Sequence, residues 1–155
     1  MKFSEHIDIC CSQGYAFDYT QDYSERLNWD TFLKRADLIN GATAAGKGVK
    51  AYCVAKNGLG METEYVSFNR PKATAIKMTK GPFLFRSFSG SWTFKEKEPD
   101  LTEVIFLYSF QFRFPFSLFS TFIKKRLQNK VRQRLIDLKT NIERKSIIYQ
   151  HHHHQ

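Results

Sequence analysis

Residues 83–112 read FLFRSFSGSWTFKEKEPDLTEVIFLYSFQF, and this stretch predicts two consecutive half-buried strands. Apolar side chains take alternate positions in each half, with serine, threonine or charged residues between them, which is the period of a sheet with one buried face. The charged segment Lys95–Asp100 predicts the turn that joins the two strands. The positions predicted to face the interior are Phe88, Gly90, Trp92, Phe94, Thr102, Val104, Phe106, Tyr108, Phe110 and Phe112.

The hydrophobic period changes after this strand pair. Apolar residues recur at steps of three or four from about Ser117 to Lys145, which predicts one amphipathic helix roughly 43 Å long. A helix of this length must bury its apolar stripe against a partner, and the aromatic strand faces supply one. The stripe consists of Ile123, Leu127, Val131, Leu135, Leu138 and Ile142.

The rest of the chain supplies partner strands for this pair. The aromatic and acidic stretch Tyr15–Asp30 predicts two short helices, and the breaks at Asn57-Gly58, Arg70-Pro71 and Gly81-Pro82 separate strand-like segments. Because the connections between strands are short, the strands must run antiparallel. The predicted fold class is therefore α+β, with a curved seven-stranded antiparallel sheet wrapped around a long C-terminal helix and two short helices after the first strand. The strands predicted ahead of the central pair are residues 3–11, 31–39, 49–56, 61–69 and 72–79.

Length and composition bound the class of protein. With 155 residues, 42% of them hydrophobic, the chain has the size of one domain with its own core, so we predict a single domain over residues 1–150. No apolar run approaches the roughly 20 residues that cross a bilayer, and the amino terminus lacks the layout of a secretion signal, which predicts a cytoplasmic protein. Residues 151–155 form a His-rich tail, either derived from an affinity tag or disordered, and take no part in the predicted fold.

No motif in the sequence indicates a metal or a cofactor. Cys10, Cys11 and Cys53 have neither the even number of a disulfide framework nor the spacing of metal ligands. Gly41–Gly48 matches most of a phosphate-binding loop, but glycine stands where a hydroxyl residue is needed, and the next residues alternate like a strand instead of opening a helix. We therefore predict no cofactor and no metal site.

Most of the net charge of +9 lies in the C-terminal helix. Residues 117–147 hold nine basic and two acidic residues, a net charge of +7, and the rest of the chain carries about +2. A basic helix face can meet nucleic acid, acidic lipid head groups or an acidic partner. It is also typical of the solvated side of an amphipathic helix, and we favour that interpretation.

The order of elements and three short pieces of sequence resemble a known superfamily. The pieces are Tyr23–Asp30 (YSERLNWD), Gly90–Phe94 (GSWTF) and Thr102–Phe110 (TEVIFLYSF). Over about residues 3–145 the chain resembles the START-related, birch-pollen-allergen-like helix-grip superfamily, in particular its bacterial polyketide cyclase/dehydrase-like members. The resemblance implies a curved sheet that grips the helix around an apolar cavity. It also implies binding of sterols, lipids, aromatic polyketides or plant hormones, with cyclisation or dehydration in some members.

The inner faces of sheet and helix are the predicted walls of this cavity. Tyr65 and Tyr108 are candidates to hydrogen-bond a ligand carbonyl or hydroxyl, unless backbone or water satisfies their hydroxyls. Glu64 is the best of few candidates for acid/base chemistry, and no catalytic residue is assigned. The residues predicted to line the cavity are Tyr65, Trp92, Phe94, Val104, Phe106, Tyr108, Phe110, Ile123 and Leu127.

The segment that leads into the helix is unusually aromatic. The density of phenylalanine from Phe110 to Phe122 predicts a narrow cavity. Within it, Phe114-Pro115-Phe116 has two interpretations: the phenylalanines fill the core after the proline ends the strand, or they rest on a membrane surface or gate the cavity mouth. We expect the first.

Three functions are compatible with this sequence. The leading hypothesis is binding or transport of a hydrophobic small molecule, such as a lipid, polyketide-like or aromatic compound, between the sheet and the C-terminal helix. The alternative is a polyketide cyclase/dehydratase-type enzyme that uses the same cavity. The third is an interaction module whose basic helix contacts anionic lipid or nucleic acid. No base-stacking motif is visible, so a peripheral membrane contact ranks above nucleic acid among the partners, and the oligomeric state is left open.

Overall fold

The computed structural model describes the backbone of residues 1–153 and the side chains of residues 1–145. The His-rich tail predicted at residues 151–155 lies outside the described side chains, so its origin stays a prediction. The strands are β1 Lys2–Ile9, β2 Leu33–Leu38, β3 Lys50–Ala55, β4 Gly60–Asn69, β5 Ala73–Lys80, β6 Phe85–Glu98 and β7 Leu101–Phe112. The helices are α1 Gln13–Gln21, α2 Arg26–Trp29 and α3 Ser120–His153.

All seven strands form one antiparallel sheet in the order β1-β7-β6-β5-β4-β3-β2, which confirms the predicted helix-grip architecture. β1 pairs with β7, so the first strand lies beside the last. In the central hairpin Trp92 pairs with Phe106, and the alternating aromatic residues of the two strands therefore share one face. Register shifts occur in β4, between Tyr65 and Ser67, and near the start of β6, and such irregularities bend the strands that contain them.

α3 packs against the inner face of the sheet through one apolar stripe. Full burial of such side chains stabilises the fold by about 1.5–3 kcal/mol each, so the packing and not the isolated helix makes its 34 residues stable. Every helix within residues 1–153 is too short or too polar to serve as a membrane span. The fully buried residues of the stripe, none more than 2% exposed, are Val131, Leu135, Leu138 and Ile142.

Both ends of α3 differ from the prediction. Phe116–Phe119 forms a short 3-10 helix, and α3 begins at Ser120 instead of Ser117. Such 3-10 turns are frequent at helix ends, where hydrogen bonds to the third residue tighten the backbone. At the other end the helix continues past Lys145 to His153.

β6 continues through most of the charged segment that predicted a turn. Lys95 pairs with Glu103 across the hairpin, and the connection shrinks to Pro99 and Asp100. The prediction of a turn from Lys95 onward was wrong. Opposite charges on neighbouring strands also stabilise an exposed strand pair, so a charged segment does not by itself indicate a loop.

The glycine-rich segment Gly41–Gly48 lies in the connection between β2 and β3. Gly41 and Gly48 have φ angles of 77° and 84°, in the left-handed region that favours glycine. Strand β3 follows the segment within two residues. The glycine-rich segment therefore does not lead into a helix whose N-terminal amides could bind a phosphate. This agrees with the alternation of the residues after Gly48, which predicted a strand.

Candidate functional site

A cavity of about 380 Å³ lies between the inner face of the sheet and the first half of α3. Strands β2 to β7 and the residues around α2 form its walls, and Ile123, Leu127 and Val131 of α3 cover it. Most lining side chains are apolar. The volume falls near the lower end of the range of about 300–1,000 Å³ that small-molecule sites occupy, so the cavity has room for a small ligand.

Six of the nine residues that the sequence assigned to the cavity line it. The alternation of the central hairpin brings the rings of Trp92 and Phe106 to a centroid distance of 4.1 Å, and those of Phe106 and Tyr108 to 4.5 Å. These rings form one continuous aromatic wall. The six lining residues are Tyr65, Trp92, Phe106, Tyr108, Ile123 and Leu127.

The other three assigned residues, Phe94, Val104 and Phe110, lie outside the cavity lining. Each is at most 1% exposed and belongs to the solid core. The ring of Phe94 packs against Phe17 of α1 at 5.3 Å, and that of Phe110 against Phe3 of β1 at 6.0 Å. Neighbouring elements thus cover these positions, whereas the cavity runs along β6 from Phe85 to Trp92.

Gly90 determines where the ring of Tyr108 lies. The two residues are paired across β6 and β7, and a Cβ atom on Gly90 would sit 3.1 Å from Cδ1 and Cε1 of Tyr108. The missing Cβ therefore lets an aromatic side chain approach the strand closely.

A buried ion cluster forms part of the cavity wall. Asp30 is fully buried, and Arg26 on α2 donates to its Oδ2 atom from Nε at 2.8 Å. Arg134 on α3 donates to Oδ1 from Nε at 3.0 Å and to Oδ2 from Nη2 at 2.8 Å. Burial by itself would raise the pKa of Asp30, but the two guanidinium groups outweigh it and hold this pKa below its ordinary value. Asp30 is therefore a carboxylate at neutral pH.

Arg134 connects the ion cluster to the aromatic wall. Its Nη1 atom donates a hydrogen bond to the hydroxyl of Tyr108, and its guanidinium lies 5.1 Å from the ring centroid of Phe32 and 5.4 Å from that of Phe106. Burial raises the pKa of Tyr108, and the charge of Arg134 only partly opposes this shift. Tyr108 thus has a protein partner for its oxygen and stays protonated at neutral pH.

Tyr65 belongs to a second polar group on the cavity wall. Its hydroxyl donates to Oε1 of Gln21 at 2.6 Å and lies 3.3 Å from the hydroxyl of Tyr23. All three residues line the cavity. Burial raises the pKa of both tyrosines, so both present neutral phenols at neutral pH. Tyr65 and Tyr108, the two tyrosines that the sequence predicted as ligand contacts, therefore both line the cavity with hydrogen-bonded hydroxyls.

The candidates for acid/base chemistry lie elsewhere or are protonated. Glu64 is outside the lining, and its carboxylate lies 3.8 Å from the ammonium of Lys77. His6, the sole histidine among the described side chains, is on the surface beside Glu103. Cys53 lines the cavity, but burial raises the pKa of its thiol. Among the described residues, no carboxylate or imidazole lines the cavity.

Sequence reasoning missed the ion cluster, although a signal for it is present. The basic residues of the helix were interpreted together as a solvated face, yet Arg134 follows Val131 by three positions and precedes Leu138 by four, which places it on the apolar stripe. Arg26 and Asp30 stand four positions apart, the spacing of a helical ion pair. A charged residue inside an apolar stripe indicates a buried partner.

Large apolar side chains are exposed where β5–β6 and β7–α3 connect. The Arg113 N–H donates to the carbonyl of Leu84 at 2.8 Å and brings these connections together beside the cavity. The prediction that the phenylalanines around Pro115 fill the core was wrong, because Phe114 is 75% exposed. We call these residues the mouth patch: Phe83, Phe114, Leu118, Phe119 and Phe122, each at least 60% exposed.

Comparison with known proteins agrees with this geometry. The sequence model of a family described as "Polyketide cyclase / dehydrase and lipid transport" matches residues 1–143. No curated protein matches the sequence.

Among solved structures, a START superfamily protein from Mycobacterium smegmatis has a TM-score of 0.77 at 11% identity, over 92% of this chain and 97% of its own. An aromatase/cyclase from Streptomyces has a TM-score of 0.76 at 11% identity, over 94% and 95% of the two chains. A major latex-like protein from Panax ginseng has a TM-score of 0.70 at 13% identity, over 91% and 96%. At these identities the likeness establishes the fold alone.

Proposed function

This chain belongs to the polyketide cyclase / dehydrase and lipid transport family, and on that premise we propose that it binds and carries a hydrophobic small molecule in the cavity between sheet and C-terminal helix. The observation that carries the proposal is the cavity itself. Its walls are mainly apolar, and the buried polar side chains among them gather around α2. This arrangement suits one small, mostly apolar ligand whose polar group fixes its orientation.

Catalysis by a cyclase or dehydratase is the alternative use of the same cavity. Such a reaction needs a group that takes up or gives a proton near neutral pH. The titratable hydroxyls and thiol on the cavity wall have pKa values raised by burial, so they can donate hydrogen bonds but do not act as bases. We therefore place binding ahead of catalysis.

Mass spectrometry of the purified protein tests the proposal. Under native conditions we expect a fraction of the protein to carry one apolar molecule, which an organic extract then releases for identification. A protein without any bound species that also shows no saturable binding of apolar probes would contradict a carrier function. Turnover of a polyketide-like substrate that Tyr65→Phe abolishes, with ligand affinity unchanged, would favour the enzyme.

The mouth patch supports a second role, contact with an anionic membrane surface from which the ligand is exchanged. Exposed aromatic side chains insert into the boundary of a bilayer, and nearby basic residues add attraction to acidic lipids. Both features meet here. Residues 65–95 and 104–136 contain no aspartate or glutamate, and Lys124, Lys125 and Arg126 follow the patch on α3.

The remaining basic residues of α3 do not form a continuous stripe for nucleic acid. Arg132 pairs with Glu5 at 2.9 Å, Lys139 with Glu143 at 2.7 Å and Lys145 with Glu25 at 3.1 Å. Arg134 is buried. Lys124, Lys125 and Arg126 at the start of the helix form no ion pair among the described residues, so they are available to a partner, and they follow the mouth patch in sequence.

A further inference from the structure

We propose that the ligand carries a carboxylate and that Arg26 binds this group inside the cavity, an assignment that rests on the binding function proposed above. The carboxylate enters first and the apolar remainder of the ligand fills the space toward the mouth. Three observations carry the assignment: the charge of the cavity wall, the unused donors of Arg26, and the hydroxyl of Tyr23 beside them.

The charged side chains that line the cavity all have the same sign. They are Arg26, Arg126, Lys130 and Arg134, and among the described residues no acidic side chain joins them. Arg26 and Arg134 are only 7% and 6% exposed. Asp30 behind them supplies one negative charge against two positive ones, so the buried cluster keeps one positive charge without a counterpart.

Arg26 is the member of the cluster with donors to spare. Its Nε donates to Asp30, whereas none of the other four N–H groups of its guanidinium has a hydrogen-bond partner among the described residues. Its side chain is 8% exposed and lines the cavity, so the remaining N–H groups are available to a ligand there. Arg134 differs, because it donates from Nε, Nη1 and Nη2 to Asp30 and Tyr108.

Tyr23 adds a donor on the same side of the cavity. The single hydroxyl hydrogen of Tyr65 is directed to Gln21, so the 3.3 Å contact between Tyr23 and Tyr65 has Tyr23 as its donor. This contact is longer than the usual O–H···O distance of about 2.7–2.8 Å and is easily exchanged for a ligand oxygen. The guanidinium of Arg26 lies 5.7 Å from the ring centroid of Tyr23.

A carboxylate matches this arrangement in charge and in shape. Its single negative charge balances the single unmatched positive charge, and its two oxygens accept in parallel from a planar guanidinium fork. A neutral hydroxyl or ester would leave the charge uncompensated in a site of low dielectric. The wall therefore discriminates by the head group of the ligand while its aromatic part accepts many apolar tails.

Titration with a matched pair of ligands, dodecanoate and dodecanol, tests the proposal by calorimetry at neutral pH. We expect the wild-type protein to bind the carboxylate about tenfold to a hundredfold more tightly than the alcohol. Arg26→Gln should bring the ratio to about one and leave the affinity for the alcohol within about twofold. Arg144→Gln, which removes an exposed charge of α3 outside the cavity lining, is the control and should preserve the preference.

The outcomes distinguish a failure of the carboxylate assignment from a failure of the proposed binding function. Equal affinity of the wild-type protein for both ligands, or a preference that survives Arg26→Gln, would overturn the carboxylate assignment and leave the binding function standing. Binding of neither ligand would contradict both. Arg134 continues to pair with Asp30 when Arg26 is replaced, which favours folding of the variant. Arg26→Lys provides a second test. It keeps the charge but loses the planar guanidinium fork, so it should lower the preference for dodecanoate over dodecanol only in part.

Discussion

Arg134 donates two parallel hydrogen bonds to Asp30, from Nε to Oδ1 at 3.0 Å and from Nη2 to Oδ2 at 2.8 Å, across 104 positions of sequence. Both side chains are buried. This pair ties the C-terminal helix to the segment after α2 and, through the hydrogen bond from Arg134 to Tyr108, holds one aromatic ring of the cavity wall. The stability of the fold and the shape of the cavity therefore depend on the same residues.

Replacement of the shared carboxylate should destabilise the protein strongly. Asp30→Asn leaves two buried guanidinium groups without a counter-charge, and we expect the free energy of unfolding to fall by about 3–5 kcal/mol in urea titrations. Asp37→Asn is the matched control, because Asp37 pairs with Arg35 on the surface and its loss should change stability by less than about 1 kcal/mol. Similar small effects of both substitutions would contradict a structural role for the cluster.

The stability contributed by Asp30 should also depend on pH. The pKa of Asp30 is lowered in the folded state, so the unfolded chain binds its proton more readily. The contribution is complete above the unfolded value of about 3.9 and is lost as the pH falls through the lower folded value. Between about pH 5 and pH 3 the wild-type protein should therefore lose more stability than Asp30→Asn. Other carboxylates are common to both proteins, so parallel curves would exclude Asp30 as the source.

The stability of the fold should be sensitive to even the smallest side chain at position 90. Gly90→Ala places a Cβ atom 3.1 Å from the ring of Tyr108, and the required shift should destabilise the fold by about 1–3 kcal/mol in urea titrations and weaken ligand binding. At Gly46 the nearest atom is the Cγ2 of Val49 at 4.0 Å, so Gly46→Ala should be tolerated within about 0.5 kcal/mol. An unaffected Gly90→Ala protein would show that the ring moves freely.

The strand pattern carries enough information to predict the sheet but not the limits of the cavity. Period-two alternation predicts which side chains of β6 and β7 lie on the buried face of the sheet. Four of these side chains are buried as predicted, namely Trp92, Phe94, Val104 and Phe106. Whether a buried side chain meets a ligand or the core depends on what covers it. Phe94 is covered by Phe17 of α1, a contact between distant residues that no local period records.

The buried charges were harder to predict for a different reason. Composition rules assign arginine to the surface, and the +7 charge of the helix segment made a solvated face the natural interpretation of Arg134. The position of Arg134 within the apolar stripe was the informative signal. Its partner Asp30 is remote in sequence, so only the tertiary structure identifies the pair.

Membrane contact should depend on the mouth patch and on acidic lipid. In sedimentation with vesicles of phosphatidylserine and phosphatidylcholine, Phe119→Ser combined with Phe122→Ser should weaken binding by about tenfold or more, because two aromatic rings no longer insert. Leu27→Ser is the control, since Leu27 is 49% exposed but lies on α2. Equal sedimentation of the double variant and the wild-type protein would contradict the proposed contact, as would equal binding to vesicles of phosphatidylcholine alone.

The central claim, a hydrophobic ligand between sheet and helix, is tested most directly by titration of an apolar fluorescent dye into the wild-type protein and into Leu127→Trp. Leu127 lines the cavity, whereas Ile136 on the same helix is 49% exposed, so Ile136→Trp is the matched control. We expect saturable binding of one dye molecule to the wild-type and Ile136→Trp proteins, and a loss of that binding in Leu127→Trp, whose indole fills the cavity. Unchanged dye binding in a folded Leu127→Trp protein, or no saturable binding to the wild-type protein, would contradict the account.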